Sequence, residues 1–166
     1  MSEYTNILVG IDGSKQSEMA FQKAVNIAKR NNATLNLLSV VNGTKDSSSG
    51  TVTYGFIDRS MYDKATEKLT DELTKLKKQA ADAGLTKVNT KVLIGNAKVE
   101  LTTGFVKDNK IDLIVVGASG LNVVGRMIVG STTAYVVRQA PCDVVVVKTD
   151  DGNKPIKIDT SSYPAI

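Results

Sequence analysis

The sequence predicts one doubly wound α/β domain built on a five-stranded parallel sheet. Strand patterns and helix patterns alternate five times along 166 residues, which is typical of parallel strands joined by helical crossovers. Two of the strands, Ile111–Val116 and Asp143–Lys148, contain runs of Ile, Leu and Val without polar alternation, as expected where helices cover both faces of a sheet. The composition, 42% hydrophobic and 23% charged, fits one globular domain with a substantial core.

The first strand–helix unit begins with the β-branched run Thr5–Ile11. This run stops at Asp12-Gly13-Ser14, where Ser14 can cap the following helix. The helix carries an apolar stripe at three- and four-residue spacing and is expected to end at Asn31-Asn32. The stripe comprises Met19, Ala20, Ala24, Ile27 and Ala28.

The second strand, Thr34–Val41, leads into Asn42–Gly55, a stretch of Ser, Gly, Thr and Asp that predicts a mobile surface loop. Loops of this length in a compact domain are either functional or disordered, so a disordered insertion and a ligand lid both remain open. A long amphipathic helix is predicted from Met61 to Ala83, with Gly84 as its stop.

The second half of the chain supplies three further strands. The third is predicted at Thr86–Ile94 and is followed by a helix over Ala97–Asn109. The fourth leads into a glycine-rich loop and a helix from Ser131 to Gln139, which Ala140-Pro141 ends before the fifth strand. Residues 1–149 are therefore expected to form the domain, and residues 150–166, which show no periodicity, a loosely ordered tail.

A binding site is predicted from the topology and from the turns after two strands. In a doubly wound sheet of order 3-2-1-4-5, the crevice lies beyond the carboxyl ends of strands 1 and 4, which carry Asp12 and Gly117. The glycine loop runs from Gly117-Ala118-Ser119-Gly120 through nine residues to Gly130-Ser131-Thr132. Glycines let backbone amides approach an anion closely, and a helix start adds free N–H groups and the positive end of the dipole. This pattern is typical of a site for a nucleotide's phosphates.

Several familiar chemistries are excluded by what the sequence lacks. The dinucleotide fingerprint G-x-G-x-x-G is absent, and Gly125–Gly130-Ser131-Thr132 approaches a P-loop without its lysine. The chain has no histidine, which excludes Ser–His triads and histidine zinc sites. No general base can be named, so enzymatic activity stays undecided. Slow nucleotide hydrolysis is the most that the sequence supports.

Charge and hydropathy indicate a protein of the cytoplasm with no nucleic-acid or membrane partner. The net charge of +4 comes from lysines scattered along helices, without a basic block interleaved with aromatic residues. The apolar run Val144–Val147 is far shorter than a membrane span. The single cysteine, Cys142, suits a reducing compartment, and we interpret it as a small hydrophobic residue entering the last strand.

The glycine loop resembles a known nucleotide motif. Gly117-x2-Gly120-x9-Gly130-Ser131 is similar to the G-2x-G-9x-G-[S/T] motif of the universal stress protein (UspA-like) family, and the similarity extends over nearly the whole chain. The resemblance implies a flavodoxin-like fold of the adenine nucleotide alpha hydrolase-like type. It also implies binding of ATP or a related adenine nucleotide, with Mg²⁺, and a homodimer paired through the fifth strand, Val144–Lys148.

The resemblance also implies a role for each matched residue. Asp12 would accept hydrogen bonds near the adenine and ribose, and Ile11 and Val40 would contact the base. The glycines of the loop would let the backbone approach ribose and phosphates, and the start of the last helix would bind phosphate oxygens. The loop varies most within the family, and Ser119 stands where other members often carry a basic residue or histidine. The residues carried over are Ile11, Asp12, Val40, Val116, Gly117, Ser119, Gly120, Gly130, Ser131 and Thr132.

The function implied is that of an ATP-binding stress-response protein, a dimeric switch or adaptor whose state an unidentified protein partner reads. A nucleotide-free dimeric adaptor and a slow ATP hydrolase are the alternatives. Purely structural roles also remain open: Asp12 as a turn residue, Ser131 as a helix cap. Arg126, in the nine-residue spacer, can neutralise phosphate or simply be solvated.

Overall fold

A parallel sheet with helices on both faces forms the framework of the protein. The computed structural model describes residues 2–45, 52–53, 59–118 and 130–155. The strands in this part of the chain are β1 Asn6–Gly10, β2 Thr34–Asn42, β3 Thr44–Lys45, β4 Val52–Thr53, β5 Val88–Gly95, β6 Leu113–Gly117 and β7 Asp143–Val147. The helices are α1 Lys15–Asn31, α2 Arg59–Asp82, α3 Ala97–Glu100, α4 Phe105–Asp108 and α5 Ser131–Gln139.

The main sheet has the strand order β5-β2-β1-β6-β7, and each neighbouring pair is parallel. Counted along the chain, this is the order 3-2-1-4-5, so the predicted fold class and strand order are confirmed. β1 and β6 are neighbours, with Val9 opposite Val115, and the connections leave them toward opposite edges of the sheet. A crevice therefore opens where these two strands end.

Side chains of the central strand enter two separate cores, because successive residues of a strand point to opposite faces. Ile7 and Val9 are fully buried in the first core, with Phe21 of α1 and Leu73 of α2. Leu8 belongs to the second core, which also contains side chains from α4 and α5. Both faces of β1 are therefore covered, which explains its uninterrupted apolar sequence.

The single helix predicted over Ala97–Asn109 is wrong in one respect, since the structure forms two four-residue helices, α3 and α4, in that segment. The carbonyl oxygen of Val99 accepts the N–H groups of Thr102, Thr103 and Gly104, which tightens the chain and ends α3. The Glu100 carboxylate then accepts the N–H of Phe105 at 3.0 Å, at the start of α4. The apolar spacing indicated one continuous helix. The structure instead ends the first helix and begins a second one, whose first N–H group the Glu100 carboxylate accepts.

Two predicted irregular segments contain short pairings. Within the loop predicted over Asn42–Gly55, β3 and β4 pair antiparallel, with Thr44 opposite Thr53; residues 46–51 and 54–58 lie outside the described part. Pro155 of the predicted tail forms an antiparallel bridge with Thr149, the last residue of the predicted domain. The mobility of the loop and the loose order of 150–166 stay predictions, and residues 156–166 are outside the described part as well.

Candidate functional site

A cleft of about 550 Å³ opens at the carboxyl ends of the central strands, within the size range of about 300–1,000 Å³ typical of small-molecule sites. Most of the residues predicted for the site line it together. They are Ile11, Asp12, Val40, Val116, Gly117, Gly130, Ser131 and Thr132. Ser119 and Gly120, and with them Arg126, lie outside the described residues. That any of these residues contacts a ligand stays a prediction.

The turn between β1 and α1 forms one wall of the cleft and is fixed by hydrogen bonds. The Ile11 N–H donates to the Leu38 carbonyl at 2.8 Å, and the Ser39 hydroxyl donates to the Ile11 carbonyl at 2.7 Å. Gly13 has a φ of +80°, a left-handed conformation that glycine adopts without strain. Ser14 caps α1, as predicted, because its hydroxyl oxygen accepts the Ser17 N–H at 3.1 Å.

Asp12 organises this turn with only one of its two carboxylate oxygens. Oδ1 accepts the Ser14 N–H at 2.9 Å and the Ser14 hydroxyl at 2.5 Å. The side chain is exposed at the cleft, and within the described residues no hydrogen bond reaches Oδ2. The carboxylate can therefore hold the turn and still accept a hydrogen bond from a ligand, so its structural and binding roles are compatible.

The glycine loop leaves β6 and returns to α5 at nearly the same place. The Gly130 N–H donates to the Ala118 carbonyl at 2.8 Å, and the Thr133 hydroxyl donates to the Gly117 carbonyl at 2.8 Å. Ala118 is itself tied to β7 through its N–H, which donates to the Val147 carbonyl at 2.9 Å. These bonds close the loop at its base and hold the start of α5 against the end of β6.

The start of α5 supplies hydrogen-bond donors to the cleft. Gly130 is the N-cap, with extended backbone and no side chain to satisfy the first turn. The first bond within the helix runs from the Ala134 N–H to the Gly130 carbonyl at 2.9 Å. The N–H groups of residues 131–133 precede that bond and have no acceptor inside the helix. Together with the helix dipole, they favour an anion at this position.

A more apolar surface lies in the same cleft, where β2 extends past the end of β1. The pairing of these two strands ends with Gly10 opposite Leu38. Residues two apart in a strand direct their backbone groups to the same side. Because the Leu38 carbonyl faces the β1 side, the N–H and carbonyl of Val40 face that side too, beyond the last paired residue. Val40 thus offers a backbone donor and acceptor beside apolar side chains.

The sequence reasoning missed the wall formed by the turn after β5. Asn96, Ala97, Lys98 and Leu101 all line the cleft. Their signal was present, since β5 is parallel to the other strands and its carboxyl end must lie at the same edge of the sheet. The turns of strands 1 and 4 alone were assigned to the site, although Gly95-Asn96 follows the third strand in the same way. Other lining residues without an earlier assignment are Gly10, Ser14, Ser17, Leu38, Asn42, Leu69 and Thr133.

Neither metal-cluster nor thiol chemistry is supported by the residues that the structure describes. They contain no group of three or more His, Cys, Asp or Glu side chains placed to hold a metal ion. Burial raises the pKa of the Cys142 thiol, and the carboxylates of Asp112 and Asp143 raise it further, so the thiol stays protonated at neutral pH. The same described residues include no helix with the length and apolar character needed to cross a membrane.

Comparison with known proteins gives consistent matches over most of the chain. A family model described as the universal stress protein family matches residues 3–148. A protein of Staphylococcus epidermidis named as a universal stress protein is 40% identical over 152 residues, covering 91% of this chain and 88% of that protein.

Solved structures agree in fold with these sequence matches. The universal stress protein UspA from Lactobacillus plantarum has a TM-score of 0.76 and 33% identity, covering 89% of this chain and 99% of that one. A universal stress protein in complex with cAMP has a TM-score of 0.66 and 26% identity, covering 88% and 98%. The residues matched by the family model include all five strands of the main sheet and both sides of the cleft.

Proposed function

The chain belongs to the universal stress protein family, and we propose that it binds an adenine nucleotide, ATP first among them, in the cleft beyond β1 and β6. The observation that carries the proposal is the pairing of two surfaces in one cleft. Apolar side chains and the strand backbone of Val40 lie in the same space as the first N–H groups of α5, which have no acceptor within the helix. A nucleotide needs both surfaces: the apolar one for its flat base and the N–H groups for its charged phosphates. The related protein solved with cAMP supports the choice of an adenine ligand.

The base is proposed to lie against Val40 and Val116. The Val40 side chain is half-buried, so a flat ring placed against it removes apolar surface from water. Val116 lines the cleft and is buried, and it adds van der Waals contact. The Val40 N–H and carbonyl form a neighbouring donor and acceptor, the arrangement that the edge of adenine complements. Ile11 contributes the adjoining side chain, since both of its backbone groups are already engaged with β2.

The sugar and the phosphates are proposed to extend from Asp12 toward α5. Asp12 Oδ2 can accept a hydrogen bond from a ribose hydroxyl while Oδ1 continues to hold the turn. The N–H groups and hydroxyls of Ser131 and Thr132 then face the phosphate oxygens, where each charge-assisted hydrogen bond contributes about 1.5–3 kcal/mol. Gly117 and Gly130 complete the contact surface at the base of the loop.

A Mg²⁺ ion would have to arrive with the nucleotide. Asp12 is the one carboxylate among the described lining residues, and its Oδ1 already accepts two hydrogen bonds. Mg²⁺ is commonly held by phosphates and waters together with one or two carboxylates; because the turn and the ribose use both Asp12 oxygens in this arrangement, phosphates and waters would hold the ion. The ion would neutralise phosphate charge, and the chain's own residues would position the nucleotide.

We propose that the bound nucleotide acts as a state signal that a protein partner reads. The carboxylate of Asp12 is tied into a turn, and the lining residues described contain no histidine, so binding rather than turnover is the role that this cleft supports. A nucleotide-free adaptor is the second candidate, and the packing at Gly117 favours it: α1 lies so close that a glycine is required there without any ligand.

The deciding experiment is native mass spectrometry of the purified protein, followed by calorimetric titration with ATP and AMP in Mg²⁺. We expect saturable binding with one nucleotide per chain. In Asp12→Ala both carboxylate oxygens are lost, and we expect affinity to fall about tenfold, the loss of one charged hydrogen bond.

Asp12→Asn separates the turn from the binding role, because asparagine retains an oxygen that can accept the Ser14 hydrogen bonds. We expect this variant to unfold at the same temperature as the parent and to bind ATP with intermediate affinity. A parent protein that binds neither nucleotide would reject the proposal and move the adaptor to first place.

The dimer is proposed to form through β7, the strand at one edge of the described sheet. Val145 lies on this strand and is 37% exposed. An edge strand with exposed apolar side chains is prone to pair with another copy of the chain. In a two-fold symmetric pairing the same patch meets its own copy, so Val145→Lys brings two lysines together. We expect the parent to sediment as a dimer and Val145→Lys as a monomer at micromolar concentration.

Met61→Lys is the matched control for this test. Met61 is 59% exposed on α2, a helix that packs on β5 and β2, toward the opposite edge of the sheet. The substitution adds the same charge to another exposed apolar position and should leave the dimer intact. A monomeric parent, or a dimer that survives Val145→Lys, would contradict pairing through β7.

A further inference from the structure

One lysine of the cleft has no role in the nucleotide site described so far. Lys98 lies in α3 and lines the cleft from the side of the β5 turn. It is the one cation among the lining residues that the structure describes, and its side chain is half-buried. A lysine in the same cleft as the start of α5, whose first N–H groups have no acceptor within the helix, makes this part of the cleft favourable to negative charge.

The position of the ammonium group follows from its contact with α5. Lys98 Nζ lies over the ring of Tyr135, 5.8 Å from the ring centre, within the range of a cation–π interaction. Tyr135 is four residues after Ser131, so both lie on the same face of α5. Side chains in a helix tilt toward its N-terminus, which brings the ring, and the cation above it, toward the first turn.

The backbone of Lys98 is held on both sides. The Asn96 side chain accepts the Lys98 N–H at 2.9 Å, and the Thr102 hydroxyl donates to the Lys98 carbonyl at 2.6 Å. With the backbone fixed and the ammonium group on Tyr135, less conformational freedom remains to be lost when an anion binds. The lysine is thus positioned before any ligand arrives.

We infer that Lys98 contacts the outer phosphates of the bound nucleotide and makes the cleft select nucleoside triphosphates over monophosphates. The inference rests on the proposed adenine-nucleotide function. It adds the residue that distinguishes nucleotides by the number of their phosphates. The glycine loop lacks the lysine that a P-loop would carry, and Lys98 supplies an equivalent charge from the opposite wall. A monophosphate bound at the start of α5 has no outer phosphates to reach it.

Calorimetric titration of Lys98→Met with AMP, ADP and ATP tests the inference. Methionine retains an unbranched apolar side chain and removes the charge. We expect ATP affinity to fall about tenfold and AMP affinity to change by less than about twofold, because only the outer phosphates lose a charged partner. In Lys98→Arg, which keeps the charge, the preference for ATP should persist. The parent's preference should weaken with added salt, and that of Lys98→Met should weaken less, because the start of α5 is the charge-dependent contact that remains.

The outcomes separate this inference from the function on which it rests. A parent that binds adenine nucleotides while Lys98→Met loses ATP and AMP affinity equally, or loses neither, overturns the role of Lys98 and leaves the nucleotide site standing. A parent that binds none of the three nucleotides overturns both. Thermal unfolding of each variant without nucleotide accompanies the titrations, so that a folding defect is recognised from the melting curve.

Discussion

Gly117→Ala is expected to lower the free energy of unfolding by about 3 kcal/mol, near the upper end of the range for overpacked positions. An added Cβ would lie 2.8 Å from the carbonyl carbon of Gln16 and 2.9 Å from its oxygen and its Cβ. These are atoms of the first turn of α1, most of them backbone, and α1 packs along β6. The methyl group can be accommodated only if the helix moves away from the strand.

Gly95→Ala is the matched control, since Gly95 ends the parallel strand β5 as Gly117 ends β6. A Cβ at Gly95 would meet only the Glu100 carboxylate at 3.8 Å, an ordinary contact. Both substitutions restrict the unfolded chain equally, so the difference between them isolates the contact with α1. Urea unfolding followed by circular dichroism should place Gly95→Ala within about 0.5 kcal/mol of the parent. Equal stability of the two variants would show that α1 yields without cost.

Gly117 shows that a sequence pattern does not distinguish a residue needed for ligand binding from one needed for packing. Its place in the G-2x-G-9x-G-[S/T] pattern indicates a phosphate loop, and the structure gives it a packing requirement as well. Asp12 is similar, since it lines the cleft and its Oδ1 holds the turn, while Oδ2 accepts no hydrogen bond within the described residues. Both residues line the cleft, as the topology predicts, and the structure adds the contacts by which each also serves the scaffold.

The fold was predictable because its strongest signals are local. Central strands covered on both faces need uninterrupted apolar runs. Such runs at β1 and β6 identified these two as central strands, and the crevice was predicted at their carboxyl ends. The third helix was predicted as continuous because spacing alone does not reveal that the Glu100 carboxylate accepts the Phe105 N–H. Lys98 was missed because the turn after β5 was not assigned to the crevice, although β5 is parallel to the other strands; its contact with Tyr135, which is distant in sequence, has no local signal.

The base of the glycine loop joins the scaffold to the proposed phosphate contacts. Gly130 both closes the loop, through its N–H on the Ala118 carbonyl, and begins α5 as its N-cap. Its φ of −66° and ψ of 161° suit any residue, so neither strain nor a turn requires glycine at this position. Backbone conformation therefore does not account for the glycine at 130, whereas packing against α1 accounts for the one at 117, and a ligand contact at 130 is the explanation that we test.

Gly130→Val is accordingly expected to abolish most nucleotide binding while the chain remains folded. The added side chain occupies the lining of the cleft beside Ser131 and Thr132 and keeps phosphate oxygens away from their N–H groups. Losing two charge-assisted hydrogen bonds corresponds to an affinity about a hundredfold weaker. Calorimetric titration with ATP measures this loss. The melting temperature without nucleotide should fall by a few degrees, because valine fits the extended backbone at 130 but is a poorer N-cap than glycine.

Gly152→Val supplies the matched substitution away from the cleft. Gly152 is exposed in the turn bridged by Thr149 and Pro155, and a Cβ there would meet only Asp150 Oδ1 at 3.5 Å. Its ATP affinity should equal that of the parent within about twofold, the scatter expected of a surface substitution. If Gly130→Val binds ATP as tightly as Gly152→Val does, the start of α5 does not hold the phosphates. The glycine at 130 would then be without a function in nucleotide binding, even if the chain binds a nucleotide elsewhere in the cleft.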